Sequence, residues 1–229
     1  MKTFLPPLLL LASMASGLCS AAAGAAASSS KAGTSPAPAY AKLSYRRIFK
    51  SSSPEFIEIV IRDDSDAATF EIRQLDEDPG ASPFEVSAPL REKMFELAAQ
   101  LKYFQGQDLD VHRRIANLGE KTFRWGRGAE SHETKFNYTL NTAAAQLMQI
   151  FEGLARQQEL VALLERRMKY DRLGINDALL QFETDLNRKL LPEPQRALPT
   201  LDQIASDSRF VDIGRQRARA LAERIRHPS

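Results

Sequence analysis

Thiols are almost missing from this chain. Its 229 residues include one cysteine, Cys19, and that cysteine lies inside an N-terminal stretch with the layout of an export signal. Once such a stretch is removed, the remaining chain has no disulfide, no thiolate-bound metal and no cysteine nucleophile. About 200 residues bury enough surface to fold without disulfides. Histidine is scarce as well: His112, His132 and His227 are the three present, and none stands in an HxxxH, HExxH or HxH spacing. That removes the usual imidazole metal frames. No serine occupies a GxSxG turn, and Gly126-Arg127-Gly128 lacks the GxGxxG or GxxxxGK frame that cradles phosphate. An excess of one charge is lacking too. The 31 Lys and Arg against 29 Asp and Glu give +2, or +1 without Lys2, and the signs are interspersed. Nucleic-acid binding needs a concentrated basic face, and none is written here. No cofactor is expected.

What is present begins with that first segment. Met1-Lys2 is a basic start, Phe4 to Ala15 is apolar but interrupted by Pro6-Pro7, and Ser20 to Ser28 is all Ala, Ser and Gly. A spanning helix needs roughly 20 apolar residues, so the run reads as a secretory signal peptide over residues 1–23, cleaved near Ala22 to Ala25. Cys19 is then discarded. The alternative is a lipoprotein anchored through Cys19, although the large Leu18 precedes it. Either reading places the chain outside the cytoplasm, periplasmic or secreted. Residues 24–42 are rich in Ala, Ser, Gly and Pro and read as a flexible tether.

From Leu43 to about Leu75 apolar residues alternate. Ile57, Ile59 and Ile61 share one face, Glu58 and Arg62 take the other, and Phe70 and Ile72 repeat the pattern. Tyr45, Arg47 and Phe49 form a weaker strand ahead of them. The spacing predicts a meander of three antiparallel strands, turned at Ser51–Ser53 and Asp63–Asp66. After Pro89, the residues Leu90, Met94, Leu97, Leu101 and Phe104 make one helical stripe ended by Gly106. Residues 107–119 are ambiguous, with Leu109, Val111 and Ile115 able to dock a short turn or helix. Phe123 and Trp125, then Thr134, Phe136 and Tyr138, alternate around the Gly126–Gly128 turn as a hairpin.

The second half reads as helix. Asn141 or Thr142 caps a long helix to about Tyr170, Ile175 to Leu190 carries the next stripe, and Thr200-Leu201-Asp202-Gln203 has the form of a capping box. Val211, Gly214, Ala218, Leu221 and Ile225 seam the last helix. The fold class is therefore α+β: a small antiparallel sheet with a covering helix over 43–140, then a helical region over 141–229 packed on the sheet part.

Functional residues are sparse. Asp63-Asp64-Ser65-Asp66 lacks the glycine and distal Glu of a calcium loop and reads as a polar turn. Asp76–Asp78 falls at the other end of the sheet. Arg124, Trp125 and Arg127 surround the hairpin turn, and a Trp beside Arg is the chemistry of an interface anchor. In the alternative, Trp125 packs beneath the 90–104 helix. The arginines of the last helix either meet anionic lipid or an acidic partner, or form a solvated face.

The layout from Tyr45-Arg46-Arg47-Ile48 through Phe151 consists of strands, a covering helix, a hairpin and a helix after Asn141-Thr142. Over residues 43–152 this order resembles the small secreted emfourin-type domains, which implies inhibition of metallopeptidases. That family often carries a Gly-rich first hairpin, where this chain has Ser51-Ser52-Ser53, and no inhibitory residue carries over. The stretch Lys121-Thr122-Phe123-Arg124 to Phe136-Asn137-Tyr138 also resembles uncharacterised secreted bacterial proteins, which implies no activity. The expected function is a non-enzymatic interaction or scaffold protein with a protein partner in the cell envelope and some contact with the membrane surface. A homodimer is compatible with the apolar stripes. The alternatives are a peptidase inhibitor and a hydrolase whose carboxylates converge only in the fold.

Overall fold

The computed structural model describes residues 40–228. The expected signal peptide, Cys19 and the tether as far as Ala39 lie outside the described residues. Ala41 and Lys42, counted in the tether from composition, are already strand: Ala41 pairs with Arg127, and Lys42 with both Gly126 and Arg62.

Six strands, β1 (Ala41–Ile48), β2 (Phe56–Arg62), β3 (Ala67–Arg73), β4 (Ser82–Glu85), β5 (Glu120–Arg127) and β6 (Glu130–Phe136), form one antiparallel sheet. Their order is β4-β3-β2-β1-β5-β6. The meander and the hairpin are thus parts of a single sheet: β5 joins the free edge of β1, with Tyr45 opposite Phe123 and Leu43 opposite Trp125. β4 went unpredicted because Pro83 interrupts any strand pattern, and a proline is tolerated only on an edge such as this one. Leu43, Tyr45, Ile57, Ile59, Phe123 and Trp125 lie on the face covered by α1 (Ala88–Gln100) and the first half of α2 (Thr142–Tyr170). The other face keeps the alternate residues Lys42, Ser44, Arg46, Glu58 and Arg124, and no helix among the described residues covers it.

α1 stops at Gln100, short of the predicted Phe104. Lys102, Tyr103 and Phe104 have φ of 50, 51 and 69°. Left-handed backbone costs roughly 1–2 kcal/mol per non-glycine residue. Aromatic packing offsets it: Phe104 stacks on Phe123 at 5.3 Å, and the Tyr103 ring lies 4.8 Å from that of Trp125. Residues 107–119 form an extended loop, held by buried Leu109 and by Asp110, whose Oδ1 accepts from Asn137 N at 2.8 Å.

α2 starts where Asn141 predicts, its side chain accepting from Ala144 N at 3.1 Å. Its 29 residues span about 44 Å at 1.5 Å per residue. Leu147, Phe151 and Leu154 enter the sheet-side core. Leu160 and Leu164 enter a second core with α3 (Ile175–Asn187), α4 (Leu198–Ser206) and α5 (Asp212–Arg226). One helix therefore supplies both cores. The capping box at Thr200 is not used. α4 begins at Leu198 with Pro199 in its first turn, and Thr200 is buried within it. α3 ends three residues before Leu190, because Lys189 turns left-handed at φ 56° and the amides of 188–190 bond back to Thr184, Leu186 and Asp185.

Candidate functional site: a cationic groove beside the long helix

The three residues singled out at the hairpin turn do not share a surface. Arg124 and Trp125 are neighbours on β5 and so point to opposite faces. Arg124 lies on the open face, where its Nε donates to Ser131 Oγ at 3.1 Å. Trp125 is only 6% exposed and is held between the rings of Tyr103 and His132. That packing removes it as an exposed anchor. Arg127 pairs with Asp63 at 2.6 Å, and Asp63 also accepts from Ala41 N at 2.8 Å, so both belong to the closure of the sheet end. The other carboxylates of that acidic turn face arginines: Asp64 pairs with Arg62 and Asp66 with Arg91.

The open sheet face holds a depression of about 430 Å³ between Lys42, Arg46, Glu58, Arg124 and Glu133. Arg46 and Glu58 pair across strands at 2.7 Å, and Lys42, Arg124 and Glu133 make no ion pair among the described residues. Most arginines of α5 are committed too, Arg219 being the exception among the described residues. Arg217 and Arg224 both reach Glu183 on α3, and Arg226 reaches Asp202 on α4 at 2.5 Å. They bind helices to one another rather than forming a free basic face. His112 bonds Asp108 at 2.6 Å, which raises its pKa above the ordinary histidine value. Among the described residues no three His, Cys, Asp or Glu side chains converge as metal ligands.

A second concavity, of about 660 Å³, has a different character. It runs between α1, the middle of α2 and the segment after α3. Its floor is set by a close approach. A Cβ on Gly153 would meet the Leu190 carbonyl oxygen at 2.6 Å and the Pro192 ring at 2.9 Å. Glycine alone lets that segment lie against α2. The apolar lining comes from Leu90, Met148, Ile150, Leu190 and Pro192, and Leu190 is 47% exposed. The rim is cationic, with Lys93 on α1, Arg156 on α2, and Arg188 and Lys189 at the end of α3.

The balance of charge within the groove is positive. Arg156 is tied to Asp185 at 2.6 Å and to Glu159 at 3.7 Å. Burial raises the pKa of Glu159, with Arg156 opposing. Glu152, the one carboxylate in the lining, is turned to the sheet: it accepts from Tyr45 Oη at 2.6 Å and lies 3.5 Å from Arg47. Burial, followed by the Glu152 charge, pushes the Tyr45 phenol well above its usual value, so it stays the donor. Lys121, close to the same carboxylate, donates to the carbonyls of Leu118, Gly119 and Asn137, and burial lowers its pKa. Among the described residues Lys93, Arg188 and Lys189 have no carboxylate within ion-pair distance. These three come from segments about 95 positions apart and carry no shared motif; the one signal in the sequence was the pair Arg188-Lys189 before Leu190-Leu191-Pro192.

An apolar trough rimmed by three unpaired cations has the chemistry to hold a carboxylate-bearing chain. No protein-family model matches the sequence, and no curated protein matches it.

Proposed function

We propose that the chain is an extracytoplasmic, non-enzymatic binding protein whose groove beside α2 receives an acidic, apolar-bearing segment of a partner protein. One observation carries the reading: Lys93, Arg188 and Lys189 converge without carboxylates on a trough lined by Leu90, Met148, Ile150 and Leu190. The three cations are exposed at the rim, and a rim cation raises the encounter rate with acidic partners. The apolar lining would supply most of the affinity and the cations the choice of partner.

The test is a photo-crosslinking side chain at Gln149 in the groove, with a control at exposed Ala162 outside it, in cells of the protein's own host. The reading expects one defined adduct from position 149, none from 162, and its loss in the Lys93→Glu, Lys189→Glu double variant. No adduct at 149, or an adduct indifferent to the double variant, removes the proposal. An adduct with a peptidase, accompanied by stoichiometric inhibition, would replace it with the inhibitor reading.

A further inference from the structure

Away from the groove, one end of the helical half exposes large apolar side chains together. Tyr170 closes α2 at 73% exposure, and Leu173 in the following turn is 82% exposed. Ile213 and Val211, at the start of α5, are 57% and 39% exposed. The two segments are neighbours. A Cβ on Gly214 would lie 3.1 Å from Ile175, and Arg172 is close enough to Asp207 to help depress its carboxyl, behind the larger effect of Arg209. The second core already takes Leu164, Ile175, Leu179 and Phe210 from the same elements.

The charges around the patch divide into two sets. Arg167–Asp171, Arg209–Asp207 and Arg215–Asp212 are paired. Arg166, Lys169 and Arg172 have no carboxylate within ion-pair distance among the described residues, and Lys169 lies over the Tyr170 ring at 5.0 Å. Glu165 and Asp177 are the unpaired carboxylates nearby, so the free charges sum to +1. Arg166 and Tyr170 are one helical turn apart and share a face of α2.

We infer that this end of the molecule is a shallow contact for an anionic lipid surface, with Leu173, Tyr170 and Ile213 entering the headgroup boundary and Arg166, Lys169 and Arg172 meeting lipid phosphates. Tyrosine and basic residues around exposed aliphatics are the composition of an interfacial contact. A second copy is the weaker occupant. Across a two-fold axis the three unpaired cations would meet a surface of the same net sign, with only Glu165 and Asp177 free to answer them. Four side chains expose only a few hundred Å², well short of the roughly 800 Å² per partner of a stable dimer. No helix of the described residues is long and apolar enough to cross a membrane, so the contact is peripheral.

The experiment is co-sedimentation of the chain, purified as its host exports it, with vesicles of phosphatidylcholine alone or mixed equally with phosphatidylglycerol. The expected partition onto the anionic vesicles is at least tenfold higher than onto the neutral ones. It should fall about tenfold in Leu173→Asp, Ile213→Asp and several-fold in Arg166→Gln, Lys169→Gln, Arg172→Gln. These positions are exposed, so circular dichroism should show unchanged folding. Equal partition onto both vesicle types, or patch variants that bind like the parent chain, overturns the inference. So does a parent chain that is dimeric in solution and becomes monomeric in Leu173→Asp, Ile213→Asp.

Discussion

The carboxylate of Glu193 closes the N-terminus of α1 from the far half of the sequence. Its Oε1 and Oε2 accept from Ser87 N at 3.0 and 3.3 Å, and its own amide donates to Gln157 Oε1 on α2 at 3.1 Å. Ser87 is the N-cap of α1 but makes no cap through its side chain. A carboxylate at that position satisfies orphan amides and complements the positive end of the helix. Because Glu193 is 1% exposed, the bonds are not shared with water. This joint fastens the sheet part to the helical half.

Glu193→Ala is therefore expected to cost about 1–3 kcal/mol, since it leaves the Ser87 amide without its acceptor while the backbone bond to Gln157 remains. Arg196→Ala, which removes a half-exposed pair with Glu85, should cost less than about 1 kcal/mol. Urea unfolding followed by circular dichroism checks both, and equal losses would contradict the cap.

Gly153→Ala should destabilise the chain even though alanine favours helix by about 1 kcal/mol over glycine. The new methyl would sit 2.6 Å from the Leu190 oxygen and must push the 190–192 segment off α2. A net loss of about 1–3 kcal/mol is expected from such overpacking. Gly80→Ala, with nothing within 4 Å, is the control and should stay within about 0.5 kcal/mol.

Trp125 is the only tryptophan, so its fluorescence reads one site. The intact chain should show blue-shifted emission that acrylamide quenches poorly, since the indole is 6% exposed. Tyr103→Ala uncovers one face of the ring and should shift the emission to longer wavelength. Tyr103→Phe keeps the stack and should not.

His112 should titrate above the ordinary value near 6.5 because Asp108 holds its proton. A raised folded-state pKa means that its contribution to stability is complete below about pH 6.5 and is lost as pH rises through the higher folded value. At 68% exposure of the side chain the effect is small, so the measurement is the imidazole NMR titration. Asp108→Asn should return the midpoint toward 6.5; an unchanged midpoint would contradict the pair.

Much of the architecture was legible because periodicity is local. The alternation of Ile57, Ile59 and Ile61 and the cap at Asn141 each depend on neighbours a few positions away, and the structure follows both. The ends of α1 and α3 differ from the periodicity for the opposite reason. Tyr103 and Lys189 adopt left-handed backbone that nothing in their residue type suggests, and at Tyr103 contacts with β5 offset the cost. At Trp125 the period-two alternation with Arg124 and the alternative of a packed indole are both local readings, and the fold takes the packed one, against Tyr103 and His132.

Residue type and spacing by themselves determined the α+β class, the buried face of β2 and the start of the long helix, because each follows from a repeat of two or about 3.6 residues. Only the tertiary structure decided that β5 joins β1, that Glu193 caps α1, and that Lys93 meets Arg188 and Lys189 over an apolar trough. Such meetings join residues up to 106 positions apart, and what sets them is how two cores pack on one shared helix, which no local pattern encodes.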